Sequence, residues 1–164
     1  MPSASGNVRA RLASLAIHAG IFAFALDLGG SLYEHLVVDP AWLDNPALIQ
    51  PGRGGLDRKA FWIPVHAGIT LILLVALWAA WTQRSVRRWV LWAIGLYVVM
   101  RAWTFAYFVP LALTFESPRD LSPDMLEQAR QWVFLSLLRL PLVIGATVAL
   151  WLAARRSSSL RAAH

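Results

Sequence analysis

The sequence predicts an all-α fold: an integral membrane four-helix bundle that crosses the membrane up, down, up and down. Of the 164 residues, 58% are hydrophobic and only 15% are charged, whereas about 25% of the residues in a soluble domain are charged. Four apolar segments are long enough to cross the hydrocarbon core, which takes about 20 residues of helix. Basic residues cluster beside these segments, and no soluble domain is left over. We therefore expect a single transmembrane domain over residues 1–164.

The four spans are predicted from the apolar runs, at residues 12–38, 60–82, 89–113 and 126–154, with a loop at 39–59 and a polar tail at 155–164. In the loop, Asp39-Pro40 and Asn45-Pro46 favour turns. Ser122 followed by Pro123 is typical of a helix N-cap, so the fourth helix should begin there. Pro141 should kink that helix. No span looks broken in the way that many transporters require.

The distribution of basic residues predicts the orientation. Eight of them lie in the N-terminal segment, the 83–88 loop and the tail, against four in the two other loops. Positive residues favour the cytoplasmic side, so we expect a multi-pass protein of the cell membrane with both termini in the cytoplasm. The formal net charge of +6 indicates contact with membrane lipids rather than a nucleic-acid partner, because no basic soluble face is present. The absence of cysteine excludes disulfides and thiolate chemistry.

Charged residues lie within the spans, where each costs about 2.5–3.5 kcal/mol at the bilayer centre. Asp27 is near the middle of the first span, and Arg101 and Arg139 are deep in the third and fourth. Ten or more residues separate these arginines from either end of their spans, too far for the side chains to reach the interface easily. We therefore expect them to face the bundle interior and pair with Asp27 and Glu34.

Three spans carry polar stripes at helical spacing, and they should converge in the outer half of the membrane. The members are Asp27, Ser31 and Glu34 in the first span, Tyr97, Arg101, Thr104 and Phe108 in the third, and Gln128, Trp132, Ser136 and Arg139 in the fourth. Asp27, Arg101 and Arg139 should lie at similar depth, with Glu34 and with His66 of the second span nearer the outer face. The convergence predicts an intramembrane site for a lipophilic small molecule.

The predicted site has catalytic and binding members. Glu34 or His66 is the candidate base, and Arg101 is the candidate stabiliser of an oxyanion. The predicted substrate-binding residues are Asp27, His35, Tyr97, Trp103, Thr104, Trp132 and Arg139. Glu34 and His66 are also the candidates for any metal, but two ligands are one short of the usual three. These residues do not identify a cofactor.

A non-catalytic function is the alternative. The buried charges would then form ion pairs that hold the helices in register. The protein would be an assembly partner, a carrier or a small transporter that works as a homo-oligomer. The direction in which the polar stripes face distinguishes the two functions. Stripes that face an internal cavity favour a binding or catalytic site, and stripes that face outward favour a protomer interface. The sequence has no ring-forming selectivity motif, so it does not indicate a channel.

Three patches carry a resemblance to a known family: YEHLVVDPAW from residue 33, FWIPVHAG from residue 61 and TFAYFVP from residue 104. They resemble a family of small four-helix membrane proteins related to the anthrone oxygenases. The resemblance implies oxidation of a polycyclic anthrone to a quinone by dioxygen, and it implies no particular cofactor. If the resemblance holds, the positions to suspect are Glu34, His35 and His66, together with Arg101 and with Thr104 and Tyr107 of the third patch.

Overall fold

The computed structural model describes residues 4–162, with side chains described for residues 8–158. Within that range the chain is helical and has no strand. Four helices are long and apolar enough to cross a membrane, and they cover Val8–Asp44, Lys59–Ala79, Arg84–Phe115 and Pro123–Ser158. The all-α class and the number of apolar spans are therefore confirmed.

The first span does not end at Val38 as predicted. It consists of α1 (Ala4–Tyr33), one π-helical turn (Glu34–Val38) and α2 (Asp39–Asp44). A proline inside an α-helix clashes with the carbonyl four residues earlier. Here the Asp39 N–H bonds to Glu34 O, five residues back, and this wider turn lets the helix continue through Pro40. The predicted turn at Asp39-Pro40 is therefore wrong.

The second and third spans follow the 45–58 loop. The second is the single helix α3 (Lys59–Ala79). The third consists of α4 (Arg84–Trp103), a π-helical turn (Thr104–Phe108) and α5 (Val109–Phe115). Its π-turn also precedes a proline, Pro110, and the Val109 N–H reaches Thr104 O. The same backbone device thus carries two spans past a proline.

The 45–58 loop folds over one end of the bundle, called the loop end below. It contains two short 3₁₀ turns, Pro46–Ile49 and Pro51–Arg53. Between them, Gln50 is fully buried. Its Nε2 donates to Phe115 O at 3.1 Å and to Arg119 O at 2.8 Å. These bonds tie the loop to the end of the third span.

The fourth span is interrupted. It consists of α6 (Pro123–Leu137) and α7 (Leu140–Ala162), with a break at residues 138–139. Pro141 has no N–H to bond to the carbonyl of Leu137, which explains why the helix breaks there. The predicted irregularity at Pro141 is confirmed, and the expectation of four unbroken spans is wrong. The Ser122 N-cap is confirmed, since its hydroxyl accepts a bond from the Met125 N–H.

The packing of the spans is uneven. α1 packs against both α3 and α7, and α4 packs along α7, whereas α3 and α4 touch over only a short stretch. The main core includes Ile17, Phe24, Leu73, Val90 and Leu150. A second apolar cluster at the loop end includes Trp42, Ile49, Phe108, Phe115 and Trp132. The contact between α3 and α4 is therefore the shortest of these four, and both helices contribute residues to the cavity described below.

Candidate functional site

A cavity of about 850 Å³ lies among the spans, toward the loop end. Of the predicted site residues, all but Trp103 line it: Asp27, Glu34, His35, His66, Tyr97, Arg101, Thr104, Trp132 and Arg139. Trp103 packs outside the lining, with its ring 5.3 Å from that of Phe108. Tyr107 packs similarly against Phe108 at 5.0 Å. The polar stripes thus face a shared interior space, except at Gln128, which is exposed and lies outside the lining.

Exposed apolar side chains of α3 and of the third span line part of the cavity. They include Ile63, Val98 and Phe105. Ile63 is 66% exposed and Phe105 is 59% exposed, so this part of the cavity wall also reaches the surface of the protein.

Asp27 is the main departure from the predicted ion pairs. The residue is only 2% exposed, and its Oδ2 has no hydrogen-bond partner within the described residues. Arg101 and Arg139 interact with this carboxylate through space, but neither is among the ion pairs formed within 4 Å by the described side chains. The predicted pairing of Asp27 with these arginines is therefore wrong.

The two arginines have other neighbours. The guanidinium of Arg139 lies over the Phe108 ring at 4.1 Å. Its Nη1 donates to Thr104 Oγ1 at 3.3 Å, and its Nε donates to the Ser136 carbonyl at 3.4 Å. The guanidinium of Arg101 lies over Phe105 at 4.4 Å. Contacts within the third and fourth spans thus hold both side chains.

Glu34 pairs with the loop instead of with a deep arginine. Its Oε1 accepts from Arg58 Nη1 at 3.0 Å, and its Oε2 accepts from Trp62 Nε1 at 2.9 Å. Arg58 also donates to Glu116 Oε1 at 3.0 Å, and its guanidinium lies 5.4 Å from the Trp132 ring. Because both carboxylate oxygens of Glu34 are engaged, its visible role is to close the loop end of the cavity.

His66 is held so that one ring nitrogen is available. Its ring stacks on Trp62, with centroids 5.6 Å apart. The Tyr97 hydroxyl donates to the His66 carbonyl at 3.0 Å and lies 3.4 Å from Nδ1. With its hydroxyl hydrogen on the carbonyl, the Tyr97 oxygen can accept the hydrogen of Nδ1, which leaves the lone pair on Nε2. Among the described residues this nitrogen has no protein partner, and it belongs to a residue of the cavity wall.

Sequence reasoning missed Asp39, which was placed in a loop. His35 Nδ1 lies 2.7 Å from Asp39 Oδ2, and His35 Nε2 lies 3.2 Å from Ser136 Oγ. Trp42 Nε1 donates to the other Asp39 oxygen at 2.8 Å. The four-residue spacing of His35 and Asp39 was a usable signal, because residues at i and i+4 are neighbours on a helix. Arg58 and Glu116 were also missed as parts of the site.

The described residues contain no group of three or more histidine, aspartate or glutamate side chains that could hold a metal. Glu34 and His66, the predicted candidates, both line the cavity. The contacts of Glu34 with Arg58 and Trp62 occupy both of its oxygens. The ionisable groups that line the cavity include carboxylate, imidazole and guanidinium groups.

The fold and the site together define a class of protein: a helical protein with four potential membrane spans and a polar cavity between them. Comparisons with protein-family models, with curated proteins and with solved structures find no match in any of the three. The resemblance to the anthrone oxygenases therefore stays a prediction, based on the three sequence patches.

Proposed function

We propose that the chain is a multi-pass protein of the cell membrane, with both termini in the cytoplasm, whose cavity binds and oxidises a lipophilic small molecule. The observation that carries this proposal is the pair Asp27 and Arg101, charged cavity residues with no ion-pair partner within the described chain. An unsatisfied buried polar group costs about 1–3 kcal/mol, and more when it is charged. A ligand that offers both a donor and an acceptor would satisfy both residues.

The shape of the cavity supports a small apolar ligand. Its volume of about 850 Å³ falls within the range of roughly 300–1,000 Å³ that is usual for ligand pockets. Aromatic residues, among them Trp62, Phe108 and Trp132, provide flat apolar walls. The exposed apolar residues Ile63 and Phe105 in the cavity wall offer a route from the bilayer. These features suit a flat, oxygen-bearing aromatic compound.

The chemistry that fits is oxidation of an acidic C–H group. His66 Nε2 takes a proton from the substrate carbon, and Arg101 stabilises the resulting enolate oxygen. The carbanion then reacts with dioxygen to give a peroxide anion, which is protonated. Loss of water from the hydroperoxide leaves a new carbonyl, so that a CH₂ group and O₂ become a C=O group and H₂O. Of the two candidate bases we assign the proton transfer to His66, because both oxygens of Glu34 already accept hydrogen bonds.

One observation favours the non-catalytic alternative. The fourth span is interrupted at residues 138–139, beside Arg139 in the cavity wall, and interrupted helices are a feature of many transporters. In this alternative the cavity holds its ligand without chemistry, as in a carrier, and the ion pairs of Glu34 and Glu116 with Arg58 are structural. Binding of a ligand without turnover would favour it.

Dioxygen uptake by the purified protein with anthrone as the probe tests the proposal. Quinone formation, measured by absorbance, should accompany the uptake. Replacement of His66 by asparagine should lower the rate at least about 100-fold, the smallest usual contribution of a general base. His18→Asn is the matched control, because His18 hydrogen-bonds the Ser14 carbonyl and lies outside the cavity lining.

The outcomes separate the two functions. Quinone formation that depends on His66 and Arg101, but not on His18, supports the oxygenase-like reaction. Binding of anthrone with no dioxygen uptake overturns the oxidation step and leaves a binding protein or carrier. Equal rates for His66→Asn and His18→Asn would remove His66 from the reaction.

A further inference from the structure

Ser136, His35 and Asp39, which the proposed oxidation does not use, form a continuous hydrogen-bonded chain, and Trp42 bonds its far end. Ser136 Oγ lies 3.2 Å from His35 Nε2. His35 Nδ1 lies 2.7 Å from Asp39 Oδ2, and Asp39 Oδ1 accepts from Trp42 Nε1 at 2.8 Å. The order hydroxyl, imidazole, carboxylate is the order in which a serine nucleophile, its base and the orienting acid are arranged in hydrolases on unrelated folds.

The local fold brings these residues together from distant positions. His35 is the second residue of the π-turn in the first span, and Asp39 follows that turn, so the two share one side of the helix. Ser136 lies in the last turn of α6, just before the break in the fourth span. Both His35 and Ser136 contribute to the cavity wall. The chain therefore links the cavity to the buried carboxylate behind it.

The hydrogen bonds determine which nitrogen of His35 can act as a base. Asp39 is fully buried and accepts from Nδ1, so the lone pair of a neutral imidazole lies on Nε2, next to Ser136. The serine hydroxyl has two acceptors within reach, the Val133 carbonyl at 2.8 Å and His35 Nε2 at 3.2 Å. Rotation about the C–O bond moves its hydrogen from the first acceptor to the second.

We propose that Ser136 is a nucleophile that accepts an acyl group from a lipophilic ester bound in the cavity. This activity goes beyond the oxidation proposed above and involves neither His66 nor dioxygen. Ser136 is only 1% exposed, so the acyl donor has to approach through the cavity, and apolar esters are the class of substrate that can do so. The bonds of the chain favour this activity because they give the serine a base that is itself oriented.

The reaction balances without any cofactor. Ser136 Oγ forms a bond to the carbonyl carbon of the ester as its hydrogen passes to His35 Nε2. The guanidinium of Arg139, whose Nε already bonds the Ser136 carbonyl, stabilises the tetrahedral oxyanion. The bond between that carbon and the alcohol oxygen then breaks, and the alcohol leaves with the hydrogen from His35. Water attacks the acyl-serine by the reverse sequence and releases the carboxylic acid.

The test is covalent labelling of the intact protein with a long-chain alkyl fluorophosphonate, in which the serine oxygen displaces fluoride from phosphorus. Mass spectrometry measures the mass increase of the protein, and peptide mapping locates it. We expect one label on Ser136, loss of the label in Ser136→Ala, and labelling at least about 100-fold slower in His35→Gln, as for loss of a general base. Ser31→Ala is the matched control, because Ser31 also lines the cavity but has no histidine bond among the described contacts.

Hydrolysis of a p-nitrophenyl ester with a decanoyl chain, followed by release of nitrophenol, completes the test. Turnover that is lost in Ser136→Ala and kept in Ser117→Ala supports the proposal, since Ser117 lies outside the cavity lining and its hydroxyl bonds the Leu113 carbonyl. Failure of the wild-type protein to label at Ser136, or equal labelling of Ser31 and Ser136, overturns it whatever the variants do. Labelling that is unchanged in a folded His35→Gln variant also overturns it, since the histidine chain would then be merely structural. None of these readouts depends on the proposed oxidation.

Discussion

Replacement of Arg58 by alanine should destabilise the protein strongly, because this one side chain bridges two carboxylates at the loop end of the cavity. Arg58 is 9% exposed in its side chain, and its partners Glu34 and Glu116 are 18% and 7% exposed. Removal of one partner of a buried pair costs about 3–5 kcal/mol, since it leaves an uncompensated charge. Glu116 keeps its bond to Lys59 and Glu34 keeps its bond to Trp62, so we expect the lower end, about 3 kcal/mol.

The matched control lies in the same loop. Arg53 pairs with Asp120 at 2.8 Å, but their side chains are 40% and 94% exposed, and such surface pairs contribute about 0–1 kcal/mol. For a chain of this length 1 kcal/mol shifts Tm by about 2–4 °C. Arg58→Ala should therefore lower Tm by about 6–12 °C, and Arg53→Ala by no more than about 4 °C.

Thermal unfolding in detergent, followed by intrinsic tryptophan fluorescence, measures both shifts under identical conditions. A double variant, Arg58→Ala with Glu34→Gln, should recover part of the loss because the unpaired carboxylate is gone. Equal shifts for Arg58→Ala and Arg53→Ala, or no recovery in the double variant, would refute the view that a buried ionic bridge closes the cavity.

Three further changes have predictable effects on the same unfolding curve. Asp27→Asn should raise Tm by about 2–4 °C, because the amide keeps the shape of the side chain without the cost of a buried charge; a lower Tm would show that the carboxylate is satisfied in the folded protein. Gly20→Val should destabilise the protein by about 1–3 kcal/mol through overpacking, because a Cβ there would lie 2.8 Å from Leu150 Cδ1. Gly29→Val is its control and should change Tm little, because no atom lies within 4 Å of a Cβ at that position. Ser122→Ala should cost about 1 kcal/mol through loss of the N-cap bond, and an unchanged Tm would contradict the cap.

The fold could be predicted because membrane spans are recognised by the length of their apolar runs. Runs of apolar residues long enough for a membrane appear directly in the sequence, and all four are helical in the structure. The π-turns were not predicted, because a single-turn change of hydrogen-bond register leaves no mark on the apolar pattern. One spacing does mark them: each turn begins six residues before a proline, at Glu34 for Pro40 and at Thr104 for Pro110.

The members of the site were more predictable than their pairings. Helical spacing placed Asp27, Arg101 and Arg139 on inward faces, and all three line the cavity. The choice of partner depends on distances across the cavity and on the path of the loop, neither of which is periodic. The pair of Arg58 with Glu34 was therefore not predicted, because Arg58 lies in the 45–58 loop, where helical spacing gives no information.

The central claim is that the charges left unpaired inside the chain belong to a ligand site. Native mass spectrometry of the protein released from detergent tests it most directly. Arg101→Gln is the variant, and Arg130→Gln is the control, since Arg130 forms an exposed pair with Glu127 and lies outside the cavity lining. We predict a monomer or dimer that carries a lipophilic small molecule, retained in Arg130→Gln and lost in a folded Arg101→Gln variant. A bare protein in a fixed larger assembly would contradict the claim and make the buried charges part of a protomer interface.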